Sequence, residues 1–282
     1  MCGSYKIRNM GRFEFDIAIN WARELNWMQG PYDADCFWAV DPSGFFAGEL
    51  DGCVIGTISA LAYDDRFGFM GYYVISPEQR GKGYGRQLFD HALRYLGKRI
   101  IGGDGVMERI ADYESIGFTV AYSNARYCSM SQKYEHISNV ADVASEVALS
   151  DLSAYDSRHF PGQRINLLNC LMHQPESSFF ALIIDSKLHG YGIIRRSDDG
   201  FRIGPMIADS ADQADILYRA LVSAIPADRK VYIDIPEANR QAVALVHRYG
   251  MQKAFATARI YLNGIPDIPV DHVYSMTGFE LG

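Results

Sequence analysis

Six consecutive residues, Arg80-Gly81-Lys82-Gly83-Tyr84-Gly85, hold the densest chemical signal in this chain. Glycine at alternate positions leaves main-chain N–H groups uncovered. The residues that follow, Leu88, Phe89, Ala92, Leu93 and Leu96, recur at helical spacing. A bare turn feeding a helix N-terminus gathers unpaired N–H groups at one point and adds the positive end of the helix dipole. That is a seat for a phosphate-bearing ligand, with Lys82 and Arg86 adding charge beside it. An apolar run, Phe67 to Ile75, precedes the turn and stops at Ser76-Pro77, so the local order is strand, glycine turn, helix. No Walker spacing occurs anywhere, and the dinucleotide fingerprint fails because Arg86 stands where its third glycine belongs.

What does fit is R/Q-x-x-G-x-G/A, read as Arg80, Gly83 and Gly85; Tyr113-Glu114-Ser115-Ile116-Gly117-Phe118 begins 28 residues after Gly85. In this order the two motifs resemble the acyl-CoA loop and the Y-E-x-x-G-F helix ending of the GNAT superfamily of N-acetyltransferases. The resemblance implies acetyl-CoA as co-substrate, its diphosphate held by the main chain of Arg80, Gly81, Lys82, Gly83, Tyr84, Gly85 and Arg86. It implies that pantetheine pairs like an added strand with the backbone of Val74 and Ile75, where an N–H would polarise the thioester carbonyl. It also makes Tyr113 the candidate general acid for the departing thiolate. By spacing alone, Val106, Ile110 and Tyr113 read as an ordinary buried helix stripe.

No general base stands out. Asp104, Asp64, Asp65 and Glu49 are candidates, each read more readily as a turn or surface carboxylate. Trp21, Trp27 and Trp38 are candidates for an acceptor pocket, with core packing as the plainer reading. The duplicated Arg126 and Arg259 read as structural. His159, His173 and His247 show no metal-ligand spacing, so no metal is expected.

These groups need a scaffold, and the sequence repeats one. Phe45-Phe46-Ala47, Asp51 and Gly56 return as Phe179-Phe180-Ala181, Asp185 and Gly190 at an offset of 134. Gly117, Ala121, Ala125 and Arg126 return as Gly250, Ala254, Ala258 and Arg259 at an offset of 133. The reading is a tandem duplication, with a catalytic domain over 1–131, a linker over 132–139 and a degenerate copy over 140–282. Strands are expected near 5–8, 36–40, 45–50, 53–63, 67–75, 99–103 and 118–130 in the first half, with helices near 13–26, 85–97 and 107–116. The class is α/β of the α+β type: two GNAT-like domains, each implied by the resemblance to hold a mixed, mainly antiparallel sheet flanked by helices. In the second copy Ala208-Asp209-Ser210-Ala211-Asp212 replaces the glycine turn, and Val246 stands where Tyr113 would be. One acyl-CoA site per chain is expected, with Ala214 taken as the counterpart of Gly83.

Composition bounds the rest. The 282 residues are enough for one large or two ordinary domains, and a hydrophobic content of 48% points to a well-buried globular protein. A net charge of −7 argues against nucleic acid. No apolar run is long enough to span a bilayer and the first residues do not begin a signal peptide, so the expected setting is cytoplasmic, away from membranes. The five cysteines (Cys2, Cys36, Cys53, Cys128, Cys170) are scattered and odd in number, and free buried thiols are expected. The expected activity is direct acetyl transfer to a primary amine of a small molecule. The alternatives are a non-catalytic acyl-CoA sensor and a protein N-acetyltransferase; a homodimer is left open.

Overall fold

The computed structural model describes residues 4–135 and 140–282. Cys2 and the second part of the expected linker, 136–139, lie outside the described residues. The first half runs β1 (Tyr5–Asn9), α1 (Phe15–Glu24), α2 (Asp33–Trp38), β2 (Phe45–Leu50), β3 (Cys53–Ala62), β4 (Phe67–Ile75), α3 (Tyr84–Leu96), β5 (Ile100–Val106), α4 (Ile110–Ile116) and β6 (Thr119–Met130). The second half runs β7 (Val140–Asp142), α5 (Val143–Glu146), α6 (Leu149–Asp156), α7 (Ile165–Met172), β8 (Ser177–Ile184), β9 (Lys187–Ser197) and β10 (Gly200–Ala208). It continues with α8 (Ala211–Ala224), β11 (Lys230–Pro236), α9 (Arg240–Arg248), β12 (Gln252–Leu262) and β13 (Val273–Ser275).

The strands join in one 13-stranded sheet of order β1-β2-β3-β4-β5-β12-β6-β11-β10-β9-β8-β7, with β13 attached to β10. Pairing is antiparallel except at β4–β5 and β10–β11. The order reads the same from either end once each strand is exchanged for its repeat, so the two halves are related by a pseudo-two-fold axis between β12 and β6. One long strand of each half crosses over: β12 pairs with β5, and β6 pairs with β11. Each crossing strand brings an arginine to a buried aspartate directly opposite it. Arg126 on β6 grips Asp234 through Nε (2.7 Å) and Nη2 (2.9 Å), and Arg259 on β12 grips Asp104 through Nε (2.9 Å) and Nη2 (3.0 Å). Each arginine holds a carboxylate of the other half. Paired this way, buried charges that would be costly alone fix the register of the exchange.

The helices form because their apolar positions recur on one side. In α3, Leu88, Phe89, Ala92 and Leu96 are buried against the sheet while Arg94 and Asp90 face outward. One core cluster spans both halves, joining Phe15, Phe37 and Tyr72 to Leu167, Phe179 and Tyr191.

Three expectations are corrected here. Residues 36–40 do not form a strand: Cys36-Phe37-Trp38 closes helix α2, since a short apolar run does not separate helix from strand without its neighbours. The thiols are not all free: Cys36 and Cys170 form a disulfide, while Cys53 is exposed and Cys128 half-buried. Their separation of 134 is the repeat offset itself. Equivalent residues face each other where a two-fold axis passes, which scattered spacing along the chain does not reveal. Finally, the counterpart of Gly83, the N-cap of α3, is Ser210, the N-cap of α8. Ala214 is a fully buried core residue. The shorter turn after β10 shifts the register of the repeat at that point.

Candidate active site

Strand β4 pairs with β5 only from Phe67 to Met70. Beyond Met70 the two strands part, and the edge of β4 from Gly71 to Ile75 has no strand partner on that side among the described residues. Against β3, the register shifts between Thr57 and Ser59, placing an extra residue at Tyr72–Tyr73. Tyr72 takes a left-handed φ of +47°, an uncommon conformation for a bulky residue. Thr57 Oγ1 donates to its carbonyl at 2.9 Å and steadies the bulge. A bulge re-aims the main chain, here at the gap between β4 and β5.

The gap opens into a cavity of about 830 Å³. At one end lies the glycine turn. Arg80 Nε donates to the Ile75 carbonyl at 2.9 Å, folding the turn back over the end of β4. Gly83 caps α3 at φ +83° with no side-chain cap, so the first-turn N–H groups of α3 are left uncovered. Of the expected binding residues, Val74, Ile75, Arg80, Gly81, Gly83, Gly85 and Arg86 all line this cavity. Lys82 and Tyr84 do not: the Lys82 ammonium is 3.0 Å from Gln79 Oε1, and the Tyr84 ring packs on Tyr5 with centroids 4.7 Å apart. Arg86 is tied to Asp90 at 2.8 Å.

Tyr113, on α4, lies on the same wall beside Phe89 and Phe118. Its hydroxyl makes no hydrogen bond among the described residues. Burial raises its pKa above the usual 10.0, with Arg109 opposing in part. The phenol therefore stays protonated through neutral pH, as a proton donor must.

The other candidates divide. Trp27 lines the cavity, whereas Trp21 and Trp38 do not; Trp38 stacks on Phe45 with centroids 4.8 Å apart. Asp104 reaches the cavity wall, but Arg259 and Asn124 occupy its carboxylate. Its side chain is a buried ion-pair partner within β5, and no turn or surface group. Glu49 pairs with Lys6 and Arg8, and Asp64 accepts from the backbone of Arg66 and Phe67.

The far end of the cavity is built by the second half, from Tyr232, Phe255, Phe279 and Glu280. Glu280 is 3% exposed. Its Oε1 accepts from Gln29 Nε2 at 2.8 Å, and Gln29 Oε1 accepts from the Tyr72 hydroxyl at 2.8 Å, which ties the tail to the β4 bulge. Its Oε2 lies 3.5 Å from Arg202 Nη2. Gly71 has to be glycine for this: a Cβ there would come within 2.3 Å of the Glu280 carbonyl oxygen. Sequence reasoning missed Arg109, Phe279 and Glu280. Arg109 stands four residues before Tyr113, a spacing that could have flagged it. The tail is too distant in sequence to leave a local signal.

Among the described residues, the corresponding gap beside β10 in the second half is filled. Strand β13 fills the equivalent gap, pairing with β10 at Met206↔Ser275. Ser275 Oγ donates to the Ile203 carbonyl at 2.9 Å and lies 3.2 Å from the Asp234 carbonyl, one on each side of the gap. Where β4 offers a free edge, β10 is covered by the chain itself.

Comparison with known proteins agrees with this geometry. The family model described as Acetyltransferase (GNAT) family matches residues 14–118, and the one described as Acetyltransferase (GNAT) domain matches residues 152–275. A holothin acyltransferase of Pseudoalteromonas sp. (strain SANK 73390) is 26% identical over 270 residues, covering 95% of this chain and 92% of that protein. An uncharacterized N-acetyltransferase, YitH, of Bacillus subtilis (strain 168) is 25% identical over 237 residues, covering 83% of each. A crystal structure of a putative acetyltransferase from Pyrococcus horikoshii shares the fold with a TM-score of 0.83 at 20% identity, over 99% of this chain and 96% of that one. A tandem GNAT protein from the clavulanic acid biosynthesis pathway does so with a TM-score of 0.64 at 12% identity, over 94% and 100%. Among the described residues, no helix is long and apolar enough to cross a membrane. With a glycine-capped helix and parted strands in one half, and the same topology closed by its own tail in the other, this chain belongs to the GNAT acyltransferases as a tandem member.

Proposed function

We propose that the protein is an acetyl-CoA-dependent N-acetyltransferase acting on the primary amine of a small molecule by direct transfer, with one site, in the half spanning 1–131, and a non-catalytic half over 140–282. One observation carries this reading: a single cavity runs from the uncovered N-terminus of α3, along the free edge of β4, past the Tyr113 hydroxyl, to an end walled by Phe255, Phe279 and Glu280. Its volume, about 830 Å³, is that of a small-molecule pocket. The tail closes the acceptor end, which favours a small amine over a polypeptide.

Each residue has a task. The turn from Arg80 to Arg86 holds the diphosphate, with Arg109 adding charge on the same wall. The main chain of β4 around Val74 and Ile75, on the side away from β3, aligns the pantetheine arm and offers an N–H to the thioester oxygen. As the acceptor nitrogen bonds to the carbonyl carbon and the C–S bond breaks, Tyr113 gives its proton to the sulfur. The nitrogen's surplus proton passes to water. Glu280 is the carboxylate of the acceptor end, placed to accept a hydrogen bond from the amine. The relative named for holothin acylation supports acyl transfer as the reaction class.

The test is release of free thiol from acetyl-CoA across a panel of amines. Turnover with an amine, abolished or strongly reduced in Tyr113→Phe, supports the reading. Tight acetyl-CoA binding without thiol release from any amine overturns it in favour of a non-catalytic sensor.

A further inference from the structure

In the second half, outside the residues that line the cavity, His159, Asp209 and His272 come together. They stand in the turn after α6, at the end of β10 and in the turn that leads into β13. No short spacing in the sequence joins them.

His159 is 5% exposed. Its Nδ1 is 2.9 Å from the Tyr155 carbonyl oxygen, which can only accept, so Nδ1 carries the hydrogen and Nε2 a lone pair. That lone pair faces His272 Nδ1 at 3.3 Å. The distance is long for a hydrogen bond. It matches the ~3.3 Å separating two nitrogens that each sit ~2.0–2.1 Å from a tetrahedral ion. A carboxylate oxygen of Asp209 lies with both nitrogens inside a 4.8 Å span. Asp209 is itself oriented: Oδ1 accepts from the Tyr155 hydroxyl at 2.7 Å, and Oδ2 is 2.9 Å from His189 Nδ1. A backbone carbonyl fixing the imidazole tautomer and a phenol and imidazole steering the carboxylate form the outer layer that a metal site requires.

We propose that His159, Asp209 and His272 bind a divalent transition-metal ion of the zinc class, with water completing the coordination. Imidazole nitrogen and carboxylate oxygen suit such an ion. The role that follows from position is structural. The His272 turn launches β13, and β13 carries the tail to Phe279 and Glu280 at the cavity. An ion there fastens the segment that closes one half and walls the other. This inference does not depend on acyl transfer.

The experiment uses the full chain, stripped with EDTA and titrated with Zn²⁺ by calorimetry and with Co²⁺ by visible absorption. Expected are one ion per chain, cobalt bands of a four-coordinate site, and affinity reduced ~100-fold or more in His272→Gln and in Asp209→Asn. His173→Gln, which alters a histidine on α7's exposed end, should bind as the parent does. Zn²⁺ should raise the melting temperature of the parent and not that of His272→Gln, and should slow amide exchange over 273–282. Variant melting curves without metal establish that each is folded. Absence of ion uptake by the parent, or parent-like affinity in both ligand variants, overturns the proposal.

Discussion

Tyr113 and Asp234 show how burial can serve opposite ends. Tyr113 is a phenol kept neutral by its surroundings and left without a partner, free to lose a proton to something that enters the cavity. Tyr113→Phe keeps the ring contacts with Phe89 and Phe118, so acetyl-CoA affinity should hold while kcat falls ~10²–10⁴-fold, read by calorimetry and thiol release together. Burial alone would raise the Asp234 carboxyl, but the guanidinium groups of Arg126 and Arg202 outweigh it and hold it at about 2. A carboxyl depressed in the folded state contributes stability that is fully present above its unfolded pKa of ~3.9 and is lost as pH falls from there through about 2. Asp234→Asn should cost ~3–5 kcal/mol at neutral pH, since it strands two buried arginines. Denaturant melts at a series of pH values should show the variant's stability changing less between pH ~5 and ~2 than the parent's.

At the scale of elements, the two copies differ in how one helix begins. Gly83 leaves the first turn of α3 open, while Ser210 accepts a hydrogen bond from Gln213 N at the start of α8. A Cβ at Gly83 would meet no protein atom within 4 Å, although φ of +83° disfavours it. If the turn seats the phosphates as proposed, Gly83→Val should leave the chain folded and weaken acetyl-CoA binding at least tenfold, because the branched side chain would occupy their place and strain the turn. Ser210→Val should leave donor affinity unchanged. Comparable losses at both positions, measured by calorimetry, would contradict a single site. The same logic explains β13: the copy without a ligand cradle covers its exposed strand edge with its own chain, as an unpaired buried edge requires.

The whole molecule is held by what crosses its pseudo-two-fold axis. Strands β6 and β12 trade places, their arginines grip aspartates of the opposite half, and the Cys36–Cys170 disulfide joins equivalent positions on α2 and α7. Asp33 adds a further buried pair with Arg195, at 2.8 Å. Neither half contains its full sheet, so unfolding should be a single transition. Closing a loop of 134 residues, the disulfide should contribute ~2–5 kcal/mol. Cys36→Ser and reduction of the parent should lower the melting temperature to the same extent. Donor affinity should not change, because neither cysteine lines the cavity.

The chain's local patterns determined a great deal. Glycines at 81, 83 and 85 after an apolar strand, helical spacing through Leu96, and a repeat offset of 134 were enough to read the turn, the helix behind it and the duplication. Such features are legible because the forces behind them act within a few residues: backbone sterics, helix periodicity, an uncovered N–H. Only the tertiary structure decided what the halves do for each other. Residues 36–40 became a helix end because α7 packs there, Asp104 was spent on Arg259, and Glu280 reached Gly71 from the far end of the chain. Those outcomes depend on contacts between segments more than a hundred residues apart, made around a symmetry axis that no stretch of sequence contains.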